Sequence, residues 1–469
     1  MQTRVLLSFA VLMLSGCAVG PNYRRPITPT PGAFRAPDPL PPQQAASIAD
    51  LKWFEVFDDP RLQDLIRVAL QKNYDLRDAV ARVEQARAGL GITRSNQYPN
   101  FGAGASVEIN RLSRDGATPI PSQVLPSQNR TFGTAALELL SFEIDIWGRL
   151  RRETEAARAN LLSAEETRKA VVTTLVSDVA ASYLTLRELD YTLEISQRTL
   201  QTREQSLDLT RSRQTGGVAT LLDLRQSEQL AQTAAEIIPA IQQQIEQTEN
   251  RINLLLGQSP GTVTRGRSLT DQKMPPEVPA GLPSTLLERR PDIRAAEQDL
   301  IAANAEIGVA RAAYFPRLTL SGFLGGASTQ LTGLFTANHT AWNLAPQVTQ
   351  PIFTAGRIKS GVKFTEAERE RALIQYERTI QTAFAEVSDA LIAHQRVRAR
   401  REKQSELVAT LEDRVSLAYV RYRGGVDTQL NALDADRDLF QAQLDLARIR
   451  LEELLSVVQL YKALGGGWQ

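Results

Sequence analysis

Gly216-Gly217-Val218-Ala219-Thr220-Leu221-Leu222 and Gly424-Gly425-Val426-Asp427-Thr428-Gln429-Leu430 are one turn written twice, 208 positions apart. Moving outward, Gly148-Arg149 and Leu256-Gly257 recur at the same displacement as Gly356-Arg357 and Leu464-Gly465. Nearer the start of each unit, Asp75-Leu76-Arg77, Gly91, Arg94 and Pro99 recur as Asp292-Ile293-Arg294, Gly308, Arg311 and Pro316, now 217 apart. The difference between the displacements falls between Pro99 and Gly148, so one connection is longer in the first copy. A displacement held constant over so many residues marks an internal duplication, and two similar sequences must build similar elements.

Each copy reads as helix, strand, strand, long helix, shorter helix. Residues 75–97 and 292–314 are rich in Ala, Arg and Glu with helical period, and a proline stops each. Phe101 to Asn110 alternates Phe101, Ala103, Ala105, Val107 and Ile109 with small or polar residues, and 318–325 places Leu318, Leu320 and Leu324 in the same way. The returning strands are expected at 131–146 and 340–353, the second weakened by Pro346 and Pro351. Each is about the 9–11 residues that a tilted membrane strand needs, although a soluble hairpin has the same pattern.

From 149 to 213, and again from 357 to 421, the chain is proline-free and helical in composition. About 65 residues at 1.5 Å each make a helix of about 97 Å, longer than any globular core requires. The Gly-Gly pair then breaks the helix, as a residue with left-handed backbone does. A returning helix runs to Gly257 or Gly465, and Pro239 is expected to kink the first of them. The apolar residues are narrow alanine-rich seams, such as Ala156, Ala157 and Ala159, between polar faces. Such seams suit a tube wall wetted on both sides, and equally a plain coiled coil.

At the N-terminus, Arg4 precedes an apolar run from Val5 to Leu14, long enough for a signal-peptide core and too short to span a bilayer. The run ends in Leu14-Ser15-Gly16-Cys17. Cys17 is the only cysteine of the 469 residues, which rules out an intrachain disulfide framework. The placement makes Cys17 the first mature residue, carrying acyl chains that anchor the protein to lipid. Ala18 follows, where aspartate would favour retention at the inner membrane. Eight prolines within 21–42 read as an extended tether. The expected domains are a signal peptide (1–16), a lipidated tether (17–50), repeat 1 (51–257), a linker (258–284) and repeat 2 (285–469).

Lys plus Arg is 54 and Asp plus Glu is 53, so no charge excess points to nucleic acid. Beyond the signal no run approaches the ~20 apolar residues of a membrane helix, so any membrane span must use strands. Only His339 and His394 are histidines, no phosphate loop or metal-ligand spacing occurs, and acidic residues lie on helix faces without nucleophile partners. No enzyme, cofactor or metal site is expected, apart from covalent lipid on Cys17. A periplasmic coiled-coil adaptor or scaffold lipoprotein with no pore is the alternative of a different class.

Four strands in lipid leave open edges, which only closure into a barrel removes. Two copies would give eight strands with a filled interior; three would give twelve with room for a lumen. Twelve helical columns about 10 Å apart close a ring roughly 38 Å across. Three is favoured.

The start Cys17-Ala-Val-Gly-Pro-Asn-Tyr-Arg-Arg-Pro26, Asp145-Ile-Trp-Gly-Arg149, Ala312-Ala-Tyr-Phe-Pro316, Gly424-Gly-Val with Leu433-Asp434-Ala435, and the terminal Ala463-Leu-Gly-Gly-Gly-Trp468 together resemble the TolC-like outer membrane factors, closest in pattern to OprM-type efflux lipoproteins. The resemblance covers essentially the whole mature chain. It implies an α+β membrane protein, a homotrimer whose twelve-stranded β-barrel continues into a periplasmic helical barrel. The implied partners are outer-membrane lipid, a periplasmic adaptor and an inner-membrane pump, often of the resistance-nodulation-division type. The implied adaptor-docking tips are Gly216, Gly217, Val218 and Thr220 with Gly424, Gly425, Val426 and Thr428. By resemblance Leu430 and Asp434 match the rings that narrow the closed duct, and Arg421, Tyr422 and Arg437 are candidates to tether it through bonds between hairpins. Gln226 stands where the first repeat would need the aspartate, so the gate is expected on the second hairpin alone.

Overall fold

A computed structural model describes residues 18–36, 47–111, 113, 128–272 and 283–468. The signal peptide and Cys17 lie outside the described residues, as do parts of the expected tether and linker. In chain order the main elements are α1 (Pro60–Lys72), α2 (Tyr74–Ser95), β1 (Phe101–Arg111), β2 (Asn129–Ile144), α3 (Arg149–Thr215), α4 (Leu221–Leu255), α5 (Pro291–Ala312), β3 (Arg317–Ser328), β4 (Thr340–Thr349), α6 (Arg357–Arg423) and α7 (Gln429–Ala463). Equivalent helices have equal lengths: 22 residues in α2 and α5, 67 in α3 and α6, 35 in α4 and α7. Helix α1 has no announced counterpart; Asp59 caps it, accepting from the Arg61 N–H, and Pro60 opens it.

The strands form one antiparallel sheet in the order β1-β2-β3-β4. Its register aligns Ala103, Leu137, Leu324 and Trp342 in a row on one face. The adjacent row on the other face is Gly102, Glu138, Phe323 and Asn343. Alternation thus produces one apolar and one mixed polar face. Several strand boundaries differ from the sequence expectation: the third strand runs on to Ser328 and the second begins at Asn129. The fourth strand ends at Thr349, before Pro351, and the second ends at Ile144. Pro346 is tolerated inside β4, opposite Leu320, because β4 is an edge strand of this sheet. Helix α4 continues through Pro239 as one element.

The structure divides into two compact units. Of the described residues, the sheet-bearing unit takes those within 1–26, 84–163 and 296–375, and the hairpin-bearing unit those within 27–83, 164–295 and 376–469. In the first, α3 and α5 meet through buried Ala156, Ala159, Ala302 and Ala305. Residues 18–25 strap this seam. The Val19 N–H donates to Trp147 O (2.9 Å), Arg152 donates to Asn22 Oδ1 (2.6 Å), and Asn304 Nδ2 donates to Pro21 O (2.9 Å). Two glycines make the fit. A Cβ on Gly308 would lie 2.7 Å from Val19 O, and one on Gly20, whose φ is +105°, would lie 2.5 Å from Gly308 Cα.

In the hairpin-bearing unit the connection after α4 is pinned to α3. Tyr183 donates to Asp59 Oδ2 (2.9 Å), which also accepts from the Arg267 N–H (3.1 Å) and Gln272 Nε2 (3.0 Å). The Gly266 N–H donates to Tyr183 Oη (2.9 Å). Arg265 pairs with Asp190 and Glu249. Burial alone would raise the Asp59 carboxyl. The hydrogen bonds from Gln272, Tyr183 and the Arg61 and Arg267 amides outweigh it and hold Asp59 below its ordinary 3.8. A depressed carboxyl adds stability that is present above the unfolded value and lost as pH falls through the folded one. Asp59→Asn is therefore expected to cost roughly 1–3 kcal/mol at neutral pH and to flatten the loss of stability below about pH 4; denaturant melts of both proteins from pH 2 to pH 7 check both effects.

Candidate functional site

Both helical hairpins close with the same backbone device. At the first tip the Val218 N–H donates to Arg213 O (2.9 Å) and the Gly217 N–H to Gln214 O (3.0 Å). At the second the Val426 N–H donates to Arg421 O (3.1 Å) and the Gly425 N–H to Tyr422 O (3.1 Å). This bond pair needs left-handed backbone at the turning residue, and φ is +75° at Gly217 and +73° at Gly425. Gly216 and Gly424 do not have it, so the second glycine of each pair is the one the turn requires. Val218 and Val426 are 77% and 67% exposed, an unusual setting for valine at a helix end.

Past the turn the tips differ. Helix α4 opens with a capping box, in which the Asp223 N–H donates to Thr220 Oγ1 (3.2 Å) and the Thr220 N–H to Asp223 Oδ2 (2.8 Å). In the second tip position 431 is asparagine, and Asp427 takes over. Its Oδ1 accepts from the Thr428 N–H (2.8 Å) and Asn431 Nδ2 (2.6 Å), and its Oδ2 accepts from Arg421 Nε (3.0 Å). The hydrogen bond from Arg421, then those from Asn431 and Thr428, hold the Asp427 carboxyl below its usual range. The first tip has Ala219 at this position, a difference visible in the sequence.

Leu430 is 48% exposed on the first turn of α7. Asp434, one turn on, pairs with Arg437 (3.2 Å), which also reaches Asp438 (3.5 Å). Within the chain, then, Arg421 and Arg437 make ion pairs inside the second hairpin. Tyr422 is met from the first hairpin: the Arg213 guanidinium lies 5.1 Å from its ring centroid.

Sequence reasoning missed the residues that join the two hairpins. Arg203 on α3 pairs with Asp436 on α7 (2.7 Å), donates to Leu230 O on α4 (3.1 Å), and lies over the Phe440 ring (4.9 Å). Gln429 Nε2 donates to Thr210 Oγ1 on α3 (2.8 Å) and Ser227 Oγ on α4 (2.7 Å). Arg203, Thr210, Ser227, Gln429 and Asp436 are all buried. The available signal was asymmetry: the first repeat has Leu221 and Glu228 where the second has Gln429 and Asp436. Among the described residues no cluster of His, Cys, Asp and Glu could hold a metal ion, and no helix is long and apolar enough to cross a membrane.

An amphipathic four-stranded antiparallel sheet in one chain with two long, mirrored helical hairpins defines a channel-forming protein of the outer membrane. The chain belongs to the outer membrane efflux protein family, whose profile matches residues 65–258 and 282–466. It is similar to the solvent efflux pump outer membrane protein SrpC of Pseudomonas putida, 38% identical over 471 residues covering 100% of this chain and 99% of the relative. The cation efflux system protein CusC of Escherichia coli O6:H1 is 35% identical over 467 residues, 99% of each chain. Among solved structures, the open state of the MtrE outer membrane channel of Neisseria gonorrhoeae superposes with a TM-score of 0.87 at 32% identity, covering 97% of this chain and 99% of that one. The fold is TolC-like, and the protein is an outer-membrane efflux channel, a transport protein and not an enzyme.

Asp427 carries the difference between the tips. Asp427→Ala should release Arg421 and loosen the second tip alone, so trypsin should cut after Arg421 and Arg423 several-fold faster; cutting after Arg211 and Arg213 at the first tip should not change.

Proposed function

We propose that three copies form the outer-membrane duct of a tripartite efflux system, with a periplasmic adaptor docked at the hairpin tips and an inner-membrane pump of the resistance-nodulation-division type behind it. The observation that carries this reading is the two-faced sheet with free edges. Its apolar face, with Val107, Ile109, Leu137, Leu324, Trp342, Leu344 and Val348 all more than half exposed in the single chain, suits lipid. Its polar face, with Glu138, Asn343 and the hydrogen-bonded Ser106–Thr134 pair, suits a wet lumen. Three sheets make a twelve-stranded barrel open enough to conduct passively.

The gate is assigned to the second hairpin. Three Leu430 side chains form an apolar constriction and three Asp434 carboxylates an acidic one, which attracts cations and repels like charge. Adaptor contact at Gly216, Gly217, Val218, Thr220, Gly424, Gly425, Val426 and Thr428 moves that hairpin outward. Arg421, Tyr422 and Arg437 tether the closed state between hairpins; Tyr422 already meets Arg213 of the first hairpin, whereas Arg421 and Arg437 pair inside the second within the single chain. Cargo choice belongs mainly to the pump: relatives named for solvents and for cations match this chain at 38% and 35% identity, which supports a duct indifferent to its load.

Leu430→Ser and Asp434→Asn are expected to raise single-channel conductance in planar bilayers several-fold, and unchanged conductance overturns the gate assignment. Lipidation at Cys17 is supported by the lipobox Leu14-Ser15-Gly16-Cys17 and by Ala18 after it. Cells fed labelled palmitate should label the native chain, and Cys17→Ser should lose the label entirely.

A further inference from the structure

On the apolar face of the sheet, the row of Ala103, Leu137, Leu324 and Trp342 is followed on one side by Phe101, Leu139, Gly322 and Leu344. On the other side the next row is Ala105, Ala135, Gly326 and Thr340. Side-chain bulk therefore drops abruptly at one level, where nothing larger than threonine stands on any of the four strands. A lipid-facing barrel surface is an apolar band flanked by aromatic rings. At this level the band is recessed.

The connection between β3 and β4 overhangs the recess. The Gly333 N–H donates to Gln330 O (3.0 Å), the Thr336 N–H to Gly333 O (3.0 Å) and the His339 N–H to Thr336 O (3.0 Å), so this segment turns tightly on itself. It comes down on the apolar face: a Cβ on Gly326 would collide with Leu334 O, and Leu334 is only 8% exposed. The neighbouring Phe335 is 86% exposed. Recess, ridge and overhang together form a groove of about 540 Å³, a size that takes a small organic ligand. None of the residues lining it is charged.

Topology sets the side of the membrane. The ends of β3 and β4 away from this connection join α5 and α6, and in an outer-membrane channel those helices stand in the periplasm, so the groove opens into the outer leaflet. A site without charged residues suits hydrocarbon and not a headgroup. An acyl chain lying in it touches protein on three sides, where one against a flat strand face touches it on one, and dispersion contacts rise accordingly. That gain is set against the freedom the chain loses when held. Phe335 fits the same occupant: its ring is costly to leave in water, whereas aromatic rings are enriched at the lipid boundaries of barrels.

We propose that the groove holds one acyl chain of an outer-leaflet glycolipid, with Ala105, Ala135 and Gly326 as its floor, Leu137, Leu324 and Trp342 as one wall and Phe335 as the other. The headgroup stays outside, level with residues 329–339, which include no lysine, arginine or carboxylate. Recognition is therefore of the chain and not of a phosphate. Every wall comes from a single copy of the protein, so each copy carries its own site.

The full-length protein, purified from outer membranes in mild detergent and weighed by native mass spectrometry, should carry glycolipid adducts, up to one per chain. Ala105→Leu with Ala135→Leu levels the floor with residues that a lipid-facing strand accepts. The adducts should then fall several-fold, while the heat-sensitive trimer band and single-channel conductance stay as in the wild type. Phe335→Ser, on the exposed connection, removes the far wall and should lower the adducts even if the strand variant folds poorly. Leu320→Phe, on the same face but away from the groove, should change nothing. A wild type without glycolipid, adducts of phospholipid alone, adducts undiminished in both groove variants, or an equal loss from Leu320→Phe each overturn the site.

Discussion

Unpaired backbone at the two edges of the sheet is the constraint from which the rest follows. Among the described residues, strand β1 is paired only with β2, and β4 only with β3. In water such edges are merely sticky, but in hydrocarbon each unsatisfied N–H or C=O costs several kcal/mol. A face carrying Trp342, Leu344 and Val348 has no place but lipid, so the edges must be satisfied by other strands. Four strands are too few to close on themselves. Membership of the efflux channel family thus agrees with what the sheet requires physically: an assembly built from copies, and a passage enclosed by them.

Duplication supplies the scaffold, and divergence supplies the asymmetry on which a moving part depends. The helices of the two repeats match residue for residue in length, and both tips turn on the same pair of backbone bonds around Gly217 and Gly425. What differs is concentrated at the start of the returning helices. The first hairpin has Ala219, Leu221, Gln226 and Glu228; the second has Asp427, Gln429, Asp434 and Asp436. Two of those substitutions face inward and bind the first hairpin. The other two lie on the exposed side, one closing the tip onto Arg421 and one pairing with Arg437.

The architecture was legible because it rests on periodicity and spacing, both of which are one-dimensional. Alternation located all four strands, and the glycine pairs located both tips. Errors arose where a boundary depends on a partner strand: β4 stops at Thr349 because the residues after it have no register with β3. Contacts between distant segments were not legible. Nothing near Asp59 announces Tyr183 and Gln272, and nothing near Asp436 announces Arg203, because each pairing is decided by which helix faces meet. Comparing the repeats position by position would have flagged Gln429 and Asp436, since a buried polar residue at an otherwise duplicated position has to answer a partner unique to that side.

The two kinds of joint in the chain also differ in strength for a physical reason. The seam of Ala156, Ala159, Ala302 and Ala305 is apolar and strapped by residues 19–22, so separating it exposes alanine surface and breaks the bonds to Arg152 and Asn304. The joint between hairpins is polar. Arg203 and Asp436 have both been taken from water, and the cost of desolvation offsets most of their attraction. Arg203 Nη2 and Gln429 Oε1 are buried without hydrogen-bond partners, and each such atom subtracts roughly 1–3 kcal/mol from the joint. Water entering as the hairpins part would satisfy both atoms and rehydrate the ion pair. Separation there recovers part of its own cost, whereas separation at the alanine seam also exposes apolar surface to water, so the proposed movement costs less at the hairpins than at the strapped helices.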